Sequence, residues 1–204
     1  LDYTPGDVND GGYLSTADLG AALAAATENG AAPYDLIFFD QCFQGNLDVL
    51  YEVRQAAEVF IASPNYAWLV APYALYLPHF APAATPDAIA DAIIHIYQAL
   101  LTNQNPNAIF YLRSADLPAI ATAVNELGDA LGQAVTAGEV TPIRLAVEQS
   151  KFVDTTQCGR GYLHLGVPDE LMGAGSFARL LRAQFAPGDS FGVNAAAGAL
   201  LTSL

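Results

Sequence analysis

Four consecutive large apolar residues at positions 36–39 are followed at once by Asp40, a glutamine and Cys42. Such a run, ended by Gly45, is typical of a strand buried on both faces, as the strands of a parallel sheet are. Ligands and reactive groups of open α/β sheets lie just beyond the carboxyl ends of these strands. We therefore predict a strand at residues 36–40, with Cys42 placed at the sheet edge to act as a nucleophile.

A second buried strand is predicted shortly afterwards. Apolar residues recur at helical spacing from Leu47 to Ala57, and the apolar run at 59–62 follows them directly. A strand, a helix and another strand in so short a length are typical of a βαβ unit with parallel strands. The sequence thus favours an α/β fold built around a parallel pair.

The rest of the chain continues this alternation. Further helices are predicted from Ser15 or Thr16 to Gly30 and at 87–101, 118–135, 142–152 and 176–185, with strands at 108–112 and 162–167. Residues 63–86, which are rich in proline and aromatic side chains, predict an ordered loop over the carboxyl edge of the sheet. No low-complexity linker interrupts the series, so we expect one domain over residues 1–204.

The charge balance excludes several classes of function. The chain has 21 acidic and 7 basic residues, which give a net charge of -14, and its one lysine is Lys151. Such a surface repels nucleic acid and anionic membranes. No apolar run reaches the roughly 20 residues that a membrane-spanning helix needs. An acidic surface with almost no lysine is associated with export, so we expect a secreted or cell-surface protein.

Asp40 and Cys42 are two residues apart, so strand alternation directs both side chains to one face. A carboxylate beside a nucleophilic thiol works against the thiolate. The pair is therefore better explained if Asp40 receives a positively charged group of the substrate. The alternative is that Asp40 caps the following helix or binds amides of the loop.

A thiol peptidase also needs a histidine that takes the thiol proton and later protonates the leaving amine. The chain has three histidines. His95 lies in the middle of a predicted helix, His164 lies within a predicted strand, and His79 lies in the proline-rich loop. Each has an ordinary structural explanation, so we expect the base to come from outside this chain.

The metal-binding signal is confined to residues 7–18. Two cysteines and three histidines are scattered without the spacing of a zinc site. Residues 7–18 resemble an EF-hand calcium loop, with Asp7, Asn9 and Asp18 at ligand positions, although the fifth position is glycine and the last acid is the shorter aspartate. The alternative is a polar turn that leads into a capped helix.

Asp40, Cys42 and Gly45 match the Asp-x-Cys-x-x-Gly motif of the clostripain family of cysteine peptidases, relatives of caspases, gingipains and legumains. The resemblance covers most of the chain and rests on an ordered series rather than one motif. Its other members are residues 12–19, 62–65 and 114–117, together with Trp68, Pro72 and Tyr73.

The resemblance implies a caspase-like, three-layer α/β/α fold with a mainly parallel sheet. It implies that Cys42 is the nucleophile and that Asp40 binds a basic P1 side chain, the residue whose carbonyl is attacked. Ser63, Asn65 and Trp68 are expected to line the same pocket. At the position of Asn65 the family has an acid, and its absence weakens the case for a basic P1 residue. Calcium dependence is a family trait, which supports a calcium ion at Asp7, Asn9 and Asp18.

The resemblance further implies a His-Gly pair on a preceding strand, and this chain lacks it. In this family the precursor is cut between histidine and cysteine, and the two pieces stay associated. We therefore expect this chain to be the cysteine-bearing part of a precursor. An N-terminal light chain would supply the histidine and the missing strands, without which the sheet is incomplete.

These inferences predict a secreted cysteine endopeptidase that cleaves protein or peptide substrates after Arg or Lys. The first alternative is an inactive relative that serves as a structural protein and assembles into oligomers or filaments. The second is a carbohydrate- or peptide-binding module with an aromatic platform formed by Tyr66, Trp68, Tyr73 and Tyr76.

Overall fold

The computed structural model describes residues 15–42, 44–65, 71–100, 108–152 and 171–204. It divides into two compact units, residues 1–117 and 118–204. That the whole chain forms one domain stays a prediction. None of the described helices is both long and apolar enough to cross a membrane.

The first unit alternates helices and strands. Its helices are α1 (Thr16–Ala26), α2 (Leu47–Glu52), α3 (Tyr73–Tyr76) and α4 (Pro86–Leu100), and its strands are β1 (Tyr34–Phe38), β2 (Ala57–Ala62) and β3 (Phe110–Arg113). Short 3-10 helices occupy Glu28–Gly30, Leu77–His79 and Ser114–Asp116. The short α3 and the 3-10 helix after it lie where the sequence predicted only a loop.

The described strands form a sheet in the order β1-β2-β3. β1 and β2 run parallel with Leu36 opposite Val59, and α2 joins them, which confirms the predicted strand–helix–strand unit. β3 pairs antiparallel with β2, with Leu112 opposite Phe60. The predicted end of this helix at Ala57 is wrong. The helix α2 ends at Glu52, and Ala57 is the first residue of β2.

The prediction that β1 is buried on both faces is wrong. Its first two residues are exposed, and Leu36, Ile37 and Phe38 are only half-buried. β2, by contrast, is almost fully buried from Val59 to Ala62. The difference follows from position, because β1 is the edge strand of the described sheet and β2 lies between two neighbours.

Alternation along β2 divides the core into two layers. Val59 and Ile61 face one cluster and Phe60 and Ala62 face the other. The first cluster also contains the inner face of α4, namely Ile89, Ala90, Ile93 and Tyr97. The second contains Leu50 of α2 and Val53, which follows that helix, with Leu19 and Leu23 of α1 packed against it. Helices therefore cover both faces of a small sheet, as the caspase-like α/β/α prediction requires.

The described residues of the second unit are mainly helical. It contains α5 (Leu117–Thr136), α6 (Val140–Gln149), α7 (Ala174–Gln184) and α8 (Val193–Ser203). Phe152, predicted to end a helix, instead forms an isolated β-bridge with Met172. The predicted strand at 162–167 lies outside the described residues.

The sequence did not predict α8. Asp189 organises its start by accepting hydrogen bonds from the backbone N–H groups of Phe191, Val193 and Asn194. Burial opposes the ionisation of Asp189, but these backbone donors outweigh it and lower the pKa of the carboxyl. The helix then buries Val193, Ala197 and Leu200 at intervals typical of a helical face.

Candidate active site

The described residues between Phe39 and Gly45 belong to no helix or strand, and this loop has both ends attached to the end of β2. The N–H of Phe39 donates to the carbonyl of Ile61 at 2.9 Å, and the N–H of Gly45 donates to the carbonyl of Ser63 at 2.8 Å. The chain thus separates from β2 after Phe39, which binds Ile61, and returns at Gly45, which binds Ser63, two residues beyond Ile61. Cys42 lies in the middle of this loop and is exposed.

Gly45 is required where the loop returns. A Cβ at this position would lie 2.6 Å from the nitrogen of Pro64 and from the carbonyl carbon of Ser63, and 2.9 Å from Cε1 of Phe110. Two of these atoms belong to the backbone, so no side-chain movement relieves the overlap. Close approach of two backbones, rather than an unusual φ, therefore explains the glycine of the motif.

Asp40 begins the loop and is exposed. Its Oδ2 accepts a hydrogen bond of 2.7 Å from the hydroxyl of Tyr73, which is the first residue of α3. This hydrogen bond, with smaller contributions from burial and the charge of Asp40, raises the pKa of Tyr73 to about 12. None of the ion pairs among the described residues involves Asp40, so its negative charge faces outward without a cationic partner in that part of the chain.

The ring of Tyr76 contacts the ring of Tyr73. The two rings are edge to face, with centroids 6.0 Å apart, and Tyr76 in turn meets Phe38 of β1 edge to face at 6.1 Å. Tyr76 is only 2% exposed, and burial raises the pKa of its hydroxyl. This hydroxyl has no hydrogen-bond partner among the described residues.

Ser63 and Asn65 form the turn after β2. Ser63 is buried, and its hydroxyl donates to the carbonyl of Asn65 and accepts from the N–H of Asn65, both at 3.1 Å. This turn holds the strand end to which Gly45 binds. That Ser63 and Asn65 contact substrate stays a prediction, and Trp68 lies outside the described residues, as does Tyr66 of the aromatic platform.

Sequence reasoning missed two residues of this site, Tyr73 as the partner of Asp40 and Gln44 within the loop. Gln44 is 4% exposed, and its Oε1 has no hydrogen-bond partner in the described part of the chain. A buried amide oxygen without a donor costs free energy, about 1–3 kcal/mol. The signal in the sequence was a long polar side chain between Cys42 and the glycine that returns the loop to the sheet.

The two described histidines lie on the surface. His95 is on α4, where its Nδ1 lies 2.8 Å from the carbonyl oxygen of Asp91 and 3.4 Å from the carboxylate of the same residue. His79 ends the 3-10 helix Leu77–His79 and is exposed. His164 lies outside the described residues.

Asp18, one of the predicted calcium ligands, belongs to a capping box. The hydroxyl and the N–H of Ser15 donate to Oδ2 of Asp18 at 2.6 and 3.1 Å, and the N–H of Asp18 donates back to the Ser15 hydroxyl at 3.1 Å. These bonds, that of the side chain first, lower the pKa of Asp18. This pattern fits the capped-helix alternative. Asp7 and Asn9 lie outside the described residues, and no metal-holding group of three His, Cys, Asp or Glu side chains occurs among those described. Calcium stays a prediction.

Known structures resemble the chain to different extents. A cysteine protease from B. fragilis is 26% identical, with 59% of this chain and 51% of that one covered and a TM-score of 0.46. A secreted C11 cysteine protease from Bacteroides thetaiotaomicron, in complex with an irreversible peptide inhibitor, is 28% identical, with 62% and 40% covered and a TM-score of 0.47. The chain thus spans about half or less of the length of these two relatives.

A clostripain from Bacteroides thetaiotaomicron, in complex with the peptide inhibitor BTN-VLTK-AOMK, matches 98% of this chain and 77% of its own. Its identity is 15% and its TM-score is 0.56, which shows a shared fold. No curated protein sequence matches the chain. The model of the clostripain family, peptidase C11, matches residues 6–160, well over half of the sequence. The chain therefore belongs to the clostripain family of cysteine peptidases.

Proposed function

We propose that this chain is the cysteine-bearing part of a clostripain-type endopeptidase with Cys42 as its nucleophile. The observation that carries the proposal is the exposed Cys42 in a loop attached at both ends to the carboxyl end of a parallel strand pair. The fixed ends hold the sulfur beyond the sheet edge, where an extended peptide can reach it.

The reaction has two halves. The histidine takes the thiol proton of Cys42, the resulting thiolate adds to the scissile carbonyl carbon, and backbone N–H groups near Cys42 stabilise the oxyanion. The carbon–nitrogen bond breaks, a histidine gives a proton to the leaving amine, and an acyl-enzyme thioester remains. Water, deprotonated by the same histidine, then hydrolyses the thioester and restores the thiol.

The histidine is supplied by an N-terminal light chain cut from the same precursor. The open edge of β1 supports this part of the proposal, since Leu36, Ile37 and Phe38 are half-buried there although their side chains are apolar. A further strand laid along β1 would cover them and bind the backbone groups of β1 that pair with none of the described strands. The same strand would end beside the loop of Cys42.

The residue preferred at P1 is basic. Asp40 supports this, because its carboxylate is exposed and has no cationic partner among the described residues. The inhibitor bound to the clostripain of similar fold carries the peptide VLTK, which ends in lysine. Natural substrates would be proteins or peptides met outside the cell, since an acidic sequence with almost no lysine is associated with export.

The test uses the enzyme expressed from its complete gene. Intact mass spectrometry under denaturing conditions should reveal a companion polypeptide that carries a His-Gly pair. A biotinylated peptide acyloxymethylketone with lysine at P1 should label wild type and the control Cys158→Ala, but not Cys42→Ala. Absence of both the label and the companion would favour an inactive, self-assembling relative. Binding of a peptide or carbohydrate that survives Cys42→Ala would favour a binding module.

A further inference from the structure

We infer that Tyr73 is a positioning residue that holds the Asp40 carboxylate in the orientation that receives a basic P1 side chain. The inference rests on the proposed function and assigns a determinant of substrate specificity within it. Tyr73 lies 33 residues after Asp40 in the chain, so only the fold brings the two together.

The contact between them has the geometry of a strong hydrogen bond. The Tyr73 hydroxyl donates to Oδ2 of Asp40 at 2.7 Å, a distance typical of a hydroxyl bound to a carboxylate. A carboxylate has about four lone-pair sites on two oxygens. Fixing Oδ2 therefore sets the rotation of the carboxylate and leaves Oδ1 to accept from an ammonium or guanidinium group.

Both partners are fixed to the same strand. Asp40 follows the end of β1 by two residues, and the intervening Phe39 binds Ile61 through its backbone N–H. On the other side, Tyr73 rests on the buried ring of Tyr76, which rests on Phe38, the last residue of β1. The phenol and the carboxylate are thus held by the same end of β1, which pre-organises the site before substrate arrives.

A phenol suits this task because it orients a carboxylate without neutralising it. An arginine or lysine in the same place would pair with Asp40 and compete with the P1 side chain. Tyr73 keeps its proton, and so remains a donor, through the physiological range, since its pKa is raised to about 12. The full negative charge of Asp40 is therefore left for the substrate.

A purely structural role for the bond predicts a different outcome. If it only stabilised the loop, its loss would slow cleavage of every substrate to the same extent. If it positions Asp40, its loss should matter only for a charged P1 side chain. In either case, Tyr73→Phe should have no effect once the Asp40 carboxylate has been removed, because the bond is then already lost.

The experiment uses the complete enzyme and matched peptides that differ only at P1, with lysine or arginine in one set and glutamine or citrulline in the other. For basic P1, Tyr73→Phe is expected to raise KM about tenfold, equivalent to ~1.4 kcal/mol, with kcat little changed. Neutral P1 peptides should show no change. The control Tyr51→Phe removes the hydroxyl of another exposed tyrosine and should behave as wild type.

A double-mutant cycle tests whether Tyr73 acts through Asp40, whereas the neutral P1 peptides distinguish positioning from a structural role. Added to Asp40→Asn, the change Tyr73→Phe should have no further effect on basic P1 peptides. Multiplicative losses in the double variant, or equal losses with neutral P1, would overturn the inference and leave the peptidase standing. If wild type cleaves none of these peptides, the proposed function fails and the inference with it. Phenylalanine fills nearly the same volume, and a cooperative thermal unfolding transition would establish that the variant is folded.

Discussion

Gly45→Ala should disrupt the loop of Cys42 at the point where it returns to the sheet. The new Cβ would lie 2.6 Å from backbone atoms of Ser63 and Pro64 and 2.9 Å from the ring of Phe110. Carbon atoms in good contact are about 3.5–4.0 Å apart. The two segments must therefore separate by roughly an ångström, which breaks or weakens the 2.8 Å bond from the Gly45 N–H to Ser63.

The cost follows from these two changes. Forcing an extra methyl group into a packed site costs about 1–3 kcal/mol, and losing the hydrogen bond costs about 0.5–1.5 kcal/mol. Because relaxation of the loop relieves part of the overlap, we expect a loss of about 2–4 kcal/mol in unfolding free energy. For a chain of this size that corresponds to a fall of roughly 5–15 °C in melting temperature.

Calorimetry and urea unfolding measure this loss, and the rate of Cys42 labelling by a peptide acyloxymethylketone measures the displacement of the sulfur. Labelling should slow by at least about tenfold, since a displacement of ~1 Å can cost a hundredfold in rate. Gly132→Ala is the matched control, because a Cβ there meets nothing within 4 Å and alanine favours a helix interior by about 0.5–1 kcal/mol. If Gly45→Ala is as stable as wild type and labels at the same rate, the close backbone approach does not explain the motif glycine.

Three further variants test separate parts of the molecule. Asn65→Asp introduces the acid expected at this position of the family. It should raise the ratio of kcat/KM for basic over neutral P1 peptides about three- to tenfold, equivalent to ~0.6–1.4 kcal/mol. An unchanged ratio would place residue 65 away from P1. Ser15→Ala removes the hydroxyl bond, the larger of the two Ser15 bonds that lower the pKa of Asp18. A lowered carboxyl pKa stabilises the fold above the ordinary pKa of 3.8, and this stability is lost as pH falls through the folded pKa. The stability difference from wild type in urea unfolding should therefore shrink as pH falls below the ordinary value. The bond to Asp40 raises the pKa of Tyr73 to about 12. This bond therefore stabilises the fold below the ordinary tyrosine pKa of about 10, and the stability is lost as pH rises through 12. An ultraviolet titration should show this late-ionising tyrosine in wild type and an earlier one in Asp40→Asn.

The strand–helix–strand unit and the place of Cys42 could be predicted because their signals are local. An apolar run and a polar break lie side by side in the sequence, and the spacing from Leu47 to Val53 marks the helix between the strands. The burial of β1 could not be predicted in the same way. How far Leu36 and Phe38 are covered depends on whether another strand lies beside them, and an apolar side chain does not report its neighbours.

The partners of the site residues were beyond sequence reasoning for a related reason. Tyr73 reaches Asp40 across 33 residues, and nothing in the composition of the proline-rich segment indicates which ring faces the loop. The helix α8 was missed because small residues at its centre, Ala195 to Ala199 with Gly198 among them, give little contrast between its faces. Its clearest signal is Asp189, a helix-capping residue type, a few positions before the apolar series that begins at Val193.

The spacing of the motif can be tested apart from its stability. Inserting one glycine between Gln41 and Cys42 leaves both anchoring bonds of the loop, those of Phe39 and Gly45, in place. Lengthening a five-residue loop by one residue costs only ~0.2 kcal/mol of closure entropy, so the melting temperature should barely change. The sulfur, however, is displaced by a large part of a residue's length, and labelling of Cys42 should fall about a hundredfold. Gly45→Ala should lower both stability and labelling, whereas the insertion should lower labelling alone. Equal losses of stability in the two variants would mean that the loop is not held independently at its ends, and that the placement of Cys42 has another cause.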